Sequence, residues 1–309
     1  MTFGRFLSVT ALAGVVGAAP LSASSFVFST GSADGRLGSL SQPASGSTLE
    51  TETADDFILG ETTSIKGATI TGLVPPGTPL SSITNVEIEI YRVFPNDSAA
   101  PSGHVPTRNN SPADVEIGTA TRDSSQGTLA FRTAVVASNF AVQNSVVTGI
   151  NKAPGNVTRG EGPVTGDAVT ITIAFDPPIV LPSDSYFFRP EVSVTGGDFL
   201  YLSGARPIVS GTPFLPDRQA WIRNSDLKPD WLRIGTDIVG GGVPPTFNMT
   251  FSLSGETIPD AGTPLHANCH GKTVAAAARQ FGGIETAAST LGFASVASLQ
   301  DGLRTYCGQ

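Results

Sequence analysis

Between residues 24 and 256 the chain repeats one pattern: short runs of alternating apolar and polar residues, each closed by Gly, Pro, Asn or Asp. Val86-Glu87-Ile88-Glu89-Ile90-Tyr91-Arg92-Val93 is the clearest run, and Asp167 to Phe175 repeats it before Asp176-Pro177-Pro178 closes the segment. A period of two sends successive side chains to opposite faces, so such runs form half-buried strands and not helices. Further strands are expected at 26–29, 65–73, 115–121, 128–135, 186–194, 199–203, 219–223 and 247–255. Turn signals separate them at Pro75-Pro76-Gly77, Asn96-Asp97, Gly196-Gly197 and Gly240-Gly241-Gly242. The pattern predicts a mainly β fold, an antiparallel β-sandwich of jelly-roll-like type spanning 24–256. Two stretches break the pattern: a Pro-rich loop over 95–114, and residues 138–165, where a short helix near 139–149 precedes a Gly/Pro/Asn loop.

The period changes to 3.6 near the C-terminus. Residues 257–267, with Pro259, Gly262 and Pro264, read as a linker, and 268–309 as a helical module. Helices are expected over Val274–Phe281, stopped by Gly282-Gly283, and Ile284–Leu291, stopped by Gly292. In a third, Val296, Leu299, Leu303 and Tyr306 share one face behind the N-cap Ser295. Forty residues make a small core. The only two cysteines, Cys269 and Cys307, bracket this module, and one disulfide between them would tie its ends. The rival reading, a metal site of His266, Cys269, His270 and Cys307, matches no zinc spacing well.

Residues 1–23 read as a secretory signal peptide: Arg5 is the basic start, Phe6 to Ala19 the apolar stretch, and Leu21-Ser22-Ala23 the small residues before the cut. The apolar run is shorter than the roughly 20 residues a membrane span requires. A disulfide suits the oxidising compartments such a signal leads to, periplasmic or extracellular. A formal charge of −8 leaves no overall basic surface for phosphates, so nucleic acid is excluded as an expected partner.

The segments Ala54-Asp55-Asp56-Phe57, Val86 to Pro95, Gly160 to Gly166 and Gln219 to Ser254 resemble a family of secreted bacterial β-sandwich proteins that often carry a C-terminal PEP-CTERM sorting signal. The likeness covers most of 50–255 and implies a sandwich exported to the cell surface, with no activity to carry over. This chain has Ile258-Pro259-Asp260 where that family has Val-Pro-Glu-Pro, and lacks its apolar helix and basic anchor. The Cys-bracketed tail resembles a short module appended to various exported proteins.

Candidate sites follow from residue chemistry. Catalytic signatures are missing: there is no Gly-x-Ser-x-Gly elbow and no His-Glu-x-x-His, and the sandwich region holds one histidine, His104, in the Pro-rich loop. A glycosidase needs only two facing carboxylates. Glu87, Glu89, Glu161, Asp198 and Glu256 are candidates, with alternation turning Glu87 and Glu89 to solvent. Glu50, Glu52, Asp55 and Asp56 put four carboxylates in seven residues, a density of hard oxygen ligands that suits a structural calcium ion. The alternative is a solvated acidic turn entering a strand. Trp221-Ile222-Arg223 and Trp231-Leu232-Arg233 repeat at a spacing of ten, across a turn containing Asp226 and Asp230. On paired strands each Trp shares a face with its Arg. Exposed, the two would make a stacking platform for sugar rings; buried, they would be core with Arg packed on the rings. The resulting expectation is a non-catalytic binding or matrix protein for polysaccharide or cell-surface material. Its alternatives are an extracellular hydrolase of glycan or polyester, and a self-associating matrix protein marked by an unprotected edge strand.

Overall fold

The computed structural model describes residues 25–46, 48–96, 110–150, 157–205 and 218–309. The signal segment 1–23 and His104 lie outside them. Sixteen strands run in order: β1 (Ser25–Ser29), β2 (Ala33–Leu40), β3 (Thr51–Leu59), β4 (Thr63–Val74), β5 (Ile83–Val93), β6 (Pro112–Glu116), β7 (Arg122–Asp123), β8 (Leu129–Val142), β9 (Asn144–Val146), β10 (Val164–Leu181), β11 (Asp184–Val194), β12 (Leu200–Gly204), β13 (Trp221–Asn224), β14 (Leu232–Arg233), β15 (Asn248–Met249) and β16 (Phe251–Thr257). Among the described residues three α-helices follow: α1 (Cys269–Phe281), α2 (Ile284–Thr290) and α3 (Val296–Tyr306).

The strands form two sheets, nearly all antiparallel. The larger has nine strands: β10 joins β8 to β4, and from β4 the sheet runs one way through β16 to β1 and another through β12 to β2 and β9, with β15 also on β12. Among the described residues only β2 and β9 pair in parallel. The smaller sheet has seven strands, β14-β13-β3-β11-β5-β6 with β7 on β5. Between the sheets lies the main core, centred on packed aromatic rings: Phe188 stacks on Phe251 at 5.0 Å, Phe57 on Tyr186 at 5.5 Å, and Phe28 meets Phe251 at 5.2 Å. Gly72 is required where it stands, because a Cβ there would fall 2.1 Å from the Phe199 ring.

Three expectations change. The helix near 139–149 is instead the end of β8 and all of β9, since the segment finds ladder partners in β10 and β2. Strand β10 does not stop at Asp176-Pro177-Pro178 but passes through a register shift between Ala174 and Ile179, the kind of bulge at which a sheet tolerates proline. The 257–267 segment is no free linker: Ile258 is fully buried in the core of the helical module with Ala277, Leu291, Leu299 and Leu303. The module lies against the larger sheet. Ile258 N–H donates to Thr62 O at 2.7 Å, Ser64 Oγ to Leu291 O at 3.0 Å, and Lys66 Nζ to Thr290 O at 3.2 Å. The expected disulfide joins Cys269 and Cys307. Ser295 caps α3 in a reciprocal box, accepting from Ser298 N–H while Ser298 Oγ accepts from Ser295 N–H.

Candidate functional site

Alternation along the smaller sheet decides what faces away from the core. On β11, Tyr186, Phe188 and Val192 enter the main core, leaving Phe187, Arg189 and Glu191 on the outer face. In register with them, β5 contributes Glu87, Glu89 and Tyr91: Arg189 lies opposite Glu89 and Glu191 opposite Glu87. On the other side β3 supplies Glu52, Ala54 and Asp56, and β13 supplies Trp221 and Arg223, with Trp221 opposite Ala54 and Arg223 opposite Glu52. The outer face is therefore a patch of acids, guanidiniums and aromatic rings drawn from four strands.

The patch is largely buried and tied together by ion pairs. Arg189, 2% exposed, meets Glu89 at 2.6 Å, Glu191 at 2.8 Å and Glu52 at 3.8 Å. Glu52, wholly buried, also takes Arg223 Nε at 2.6 Å and Lys228 Nζ at 2.7 Å. Arg223 donates to Tyr91 OH at 2.9 Å, and Tyr91 OH in turn donates to Glu89. Burial alone would raise the Glu52 carboxyl, but Arg189, Arg223 and Lys228 together hold it down at about 2. Glu191 goes the other way, to about 7, because burial and the nearby charges of Glu50, Glu52 and Glu89 outweigh Arg189. Burial lifts Glu87 to about 7 as well, helped by its hydrogen bond to Glu89. Glu89, expected to face solvent, is buried beneath this network.

The tryptophan platform does not form. Trp221 and Arg223 share a face of β13, as expected, and Arg233 pairs across from Trp221, whereas Trp231 precedes β14. That face, however, is packed: Trp221 and Trp231 are 1% and 0% exposed. Their indole N–H groups donate to Arg218 O and Ala113 O, and the Arg223 guanidinium lies 4.2 Å from the Trp231 ring centroid. Of the other residues of the echo, Asp230 is buried, Asp226 is exposed in the turn, and Arg233 forms a two-pronged pair with Asp237 at 3.0 and 2.7 Å.

The four carboxylates read as a calcium cluster do not converge. Glu52 and Asp56 point to the outer face; Asp55, on the opposite face of β3, accepts Met249 N–H at 2.7 Å. Asp56 accepts Arg218 N–H at 2.8 Å, and Glu50 pairs with Lys228 at 3.0 Å. Protein cations and N–H groups occupy the oxygens a metal would need. Among the described residues no group of three His, Cys, Asp or Glu side chains is placed to hold a metal ion. The remaining acidic candidates are dispersed: Asp198 accepts from Gln42, Glu256 pairs with Lys66, and Glu161 accepts three backbone N–H groups, of Val147, Thr148 and Gly149, at 2.9, 2.7 and 2.6 Å.

A second feature was marked in the sequence only as a strand at 128–135. Strand β8 is 14 residues long and pairs with β10 along one side. Among the described residues no strand pairs with its other side. Val135 and Val136 are 46% and 58% exposed, and Ala130, Arg132 and Ala134 are exposed too. The other outermost strands are short, with five residues in β1 and β6, three in β9 and two in β7 and β14. Two register shifts kink β8 at Val136 and between Ala137 and Phe140, but Leu129 to Val135 is regular.

The fold and these two features define a two-sheet β-sandwich with an ion-filled outer face and one long open edge. Compared with protein-family models, with curated proteins and with solved structures, the chain gives no match.

Proposed function

We propose that this is an exported matrix protein that builds by self-association, β8 of one copy pairing antiparallel with β8 of a second. The single observation carrying the reading is the long, regular, unpaired edge of β8. Natural sandwiches blunt such edges with short strands, charges or proline. Here the regular part, Leu129-Ala130-Phe131-Arg132-Thr133-Ala134-Val135, has one charge and no proline.

Charge favours a second copy as the occupant. The chain has 26 acidic residues and a net charge of −8, yet β8 contains neither Asp nor Glu. Two copies therefore repel least where these edges meet. A two-fold axis at Thr133 sets Phe131 against Val135 of the other copy, an aromatic against a β-branched side chain, and Arg132 against Ala134. Centring on Arg132 would oppose like charges. The disulfide, the resemblance to secreted sandwiches and the expected signal peptide support assembly outside the cytoplasm.

Sedimentation velocity over a concentration series tests this with two variants of one exposed residue. Ala134→Lys places a cation against Arg132 of the second copy twice per dimer and is expected to weaken association roughly tenfold. Ala134→Glu places a carboxylate there and is expected to strengthen it. A wild-type chain that sediments as a monomer at every concentration, or variants that shift association in the same direction, would overturn the reading.

A further inference from the structure

Just past the C-terminal end of β8, beyond its regular part, a surface cavity of about 480 Å³ is bordered by Arg36, Gln143, Asn144, Arg159, Pro245 and Phe247. We propose that it binds a uronate unit of an acidic polysaccharide, with Arg159 and Arg36 taking the sugar carboxylate.

The argument begins with the backbone at Arg159, whose φ of 71° is left-handed, a conformation that costs a non-glycine residue on the order of 1 kcal/mol. The surroundings hold it there. Arg159 N–H donates to Ile238 O at 2.9 Å, Asn144 Nδ2 donates to Arg159 O at 2.9 Å, and Thr158 Oγ1 donates to Gly149 O at 2.7 Å. Two residues on, Glu161 is locked into the three N–H groups of 147–149. The backbone at 159 is thus pinned from several sides, while the guanidinium it carries is exposed and makes no hydrogen bond or ion pair among the described residues. The held backbone roots an uncommitted guanidinium at the rim of the cavity, where it is free to turn to an anion.

Arg36 supplies the second cation. It lies 4.9 Å over the Phe247 ring, and its nearest acid, Asp34, is 4.0 Å away with its other oxygen engaged by Ser203 Oγ and Arg36 N–H. Two guanidiniums around one cavity, in a chain of net charge −8, match a carboxylate by bidentate pairing. The space exceeds what a lone inorganic anion fills. Half-buried Pro245 and Val239 give an apolar wall for the carbon face of a ring, and Gln143, with no side-chain partner among the described residues, offers an amide to its hydroxyls.

Calorimetric titration of the full chain with tetramers of galacturonate and glucuronate, and with their methyl esters, tests the assignment. One or both free acids should bind and the esters should not. Arg159→Gln should weaken binding at least tenfold and leave the thermal midpoint unchanged, and Arg36→Gln should weaken binding too. Binding by the Ala134→Lys variant at wild-type strength would separate this site from edge pairing. No binding of either acid, equal binding of an ester, or an unaffected Arg159→Gln would overturn the proposal. Displacement by an equal concentration of inorganic phosphate would reduce the site to a general anion site and overturn the sugar assignment.

Discussion

Arg189 sits under three carboxylates on a sheet face that an isolated strand would give to water. Its neighbours divide the acids into two kinds. Glu52 is held ionised, whereas Glu87 and Glu191 keep their protons up to about 7. The pH dependence of stability follows in sign. The unfolded chain releases the Glu87 and Glu191 protons near the ordinary 4.5, so their contribution is present below that value and is lost as pH rises to about 7. Glu52 acts oppositely: its contribution is present above 4.5 and is lost as pH falls towards 2. The thermal midpoint should therefore peak near pH 5 and fall towards pH 8. Glu191→Gln, which mimics the protonated form, should flatten that fall; melts at pH 5, 6.5 and 8 that are parallel for both proteins would contradict the assignment. None of this was readable from the chain. Thr51 to Leu59 has a polar residue at almost every position of its first half, so it read as an acidic turn. Its burial depends on Arg223, 171 positions away from Glu52.

At the level of elements, the sequence reported its own geometry well wherever partners were local. The faces of Val86–Val93 and the shared face of Trp221 and Arg223 came from period two; what covers those faces is set by other strands, and so was not legible. The helices were clear because caps and spacing lie within one turn. Ser295→Ala removes the cap of α3 and should cost the module about 1 kcal/mol, measured as a lower urea midpoint of the helical circular-dichroism signal. An unchanged midpoint would mean that packing of Leu299 and Leu303 alone decides that helix. The segment 139–149 shows the converse: its spacing allowed a helix, and pairing with β10 and β2 made strands of it.

Across the whole molecule, the sandwich and the helical module carry separate reporters. Both tryptophans lie in the sandwich, and the described α-helices all lie between Cys269 and Tyr306. Because Ile258, Ser64 and Lys66 join the two parts, tryptophan emission and helical signal should lose structure together on heating. Reducing Cys269–Cys307, which closes a separation of 38 residues, removes roughly 4 kcal/mol of chain-entropy restraint from the module. The helical transition should then move below the tryptophan transition; coincident curves after reduction would show that docking, not the bridge, holds the tail. The topology also bears on how the molecule comes to exist. Strand β1 has β16 as its ladder partner, and Thr30 Oγ1 reaches Met249 O across 219 positions. A chain appearing N-terminus first must leave β1 waiting until nearly all of the rest has emerged. Closure of this edge of the larger sheet thus waits for β16 and comes only when little more than the helical module is left to be made.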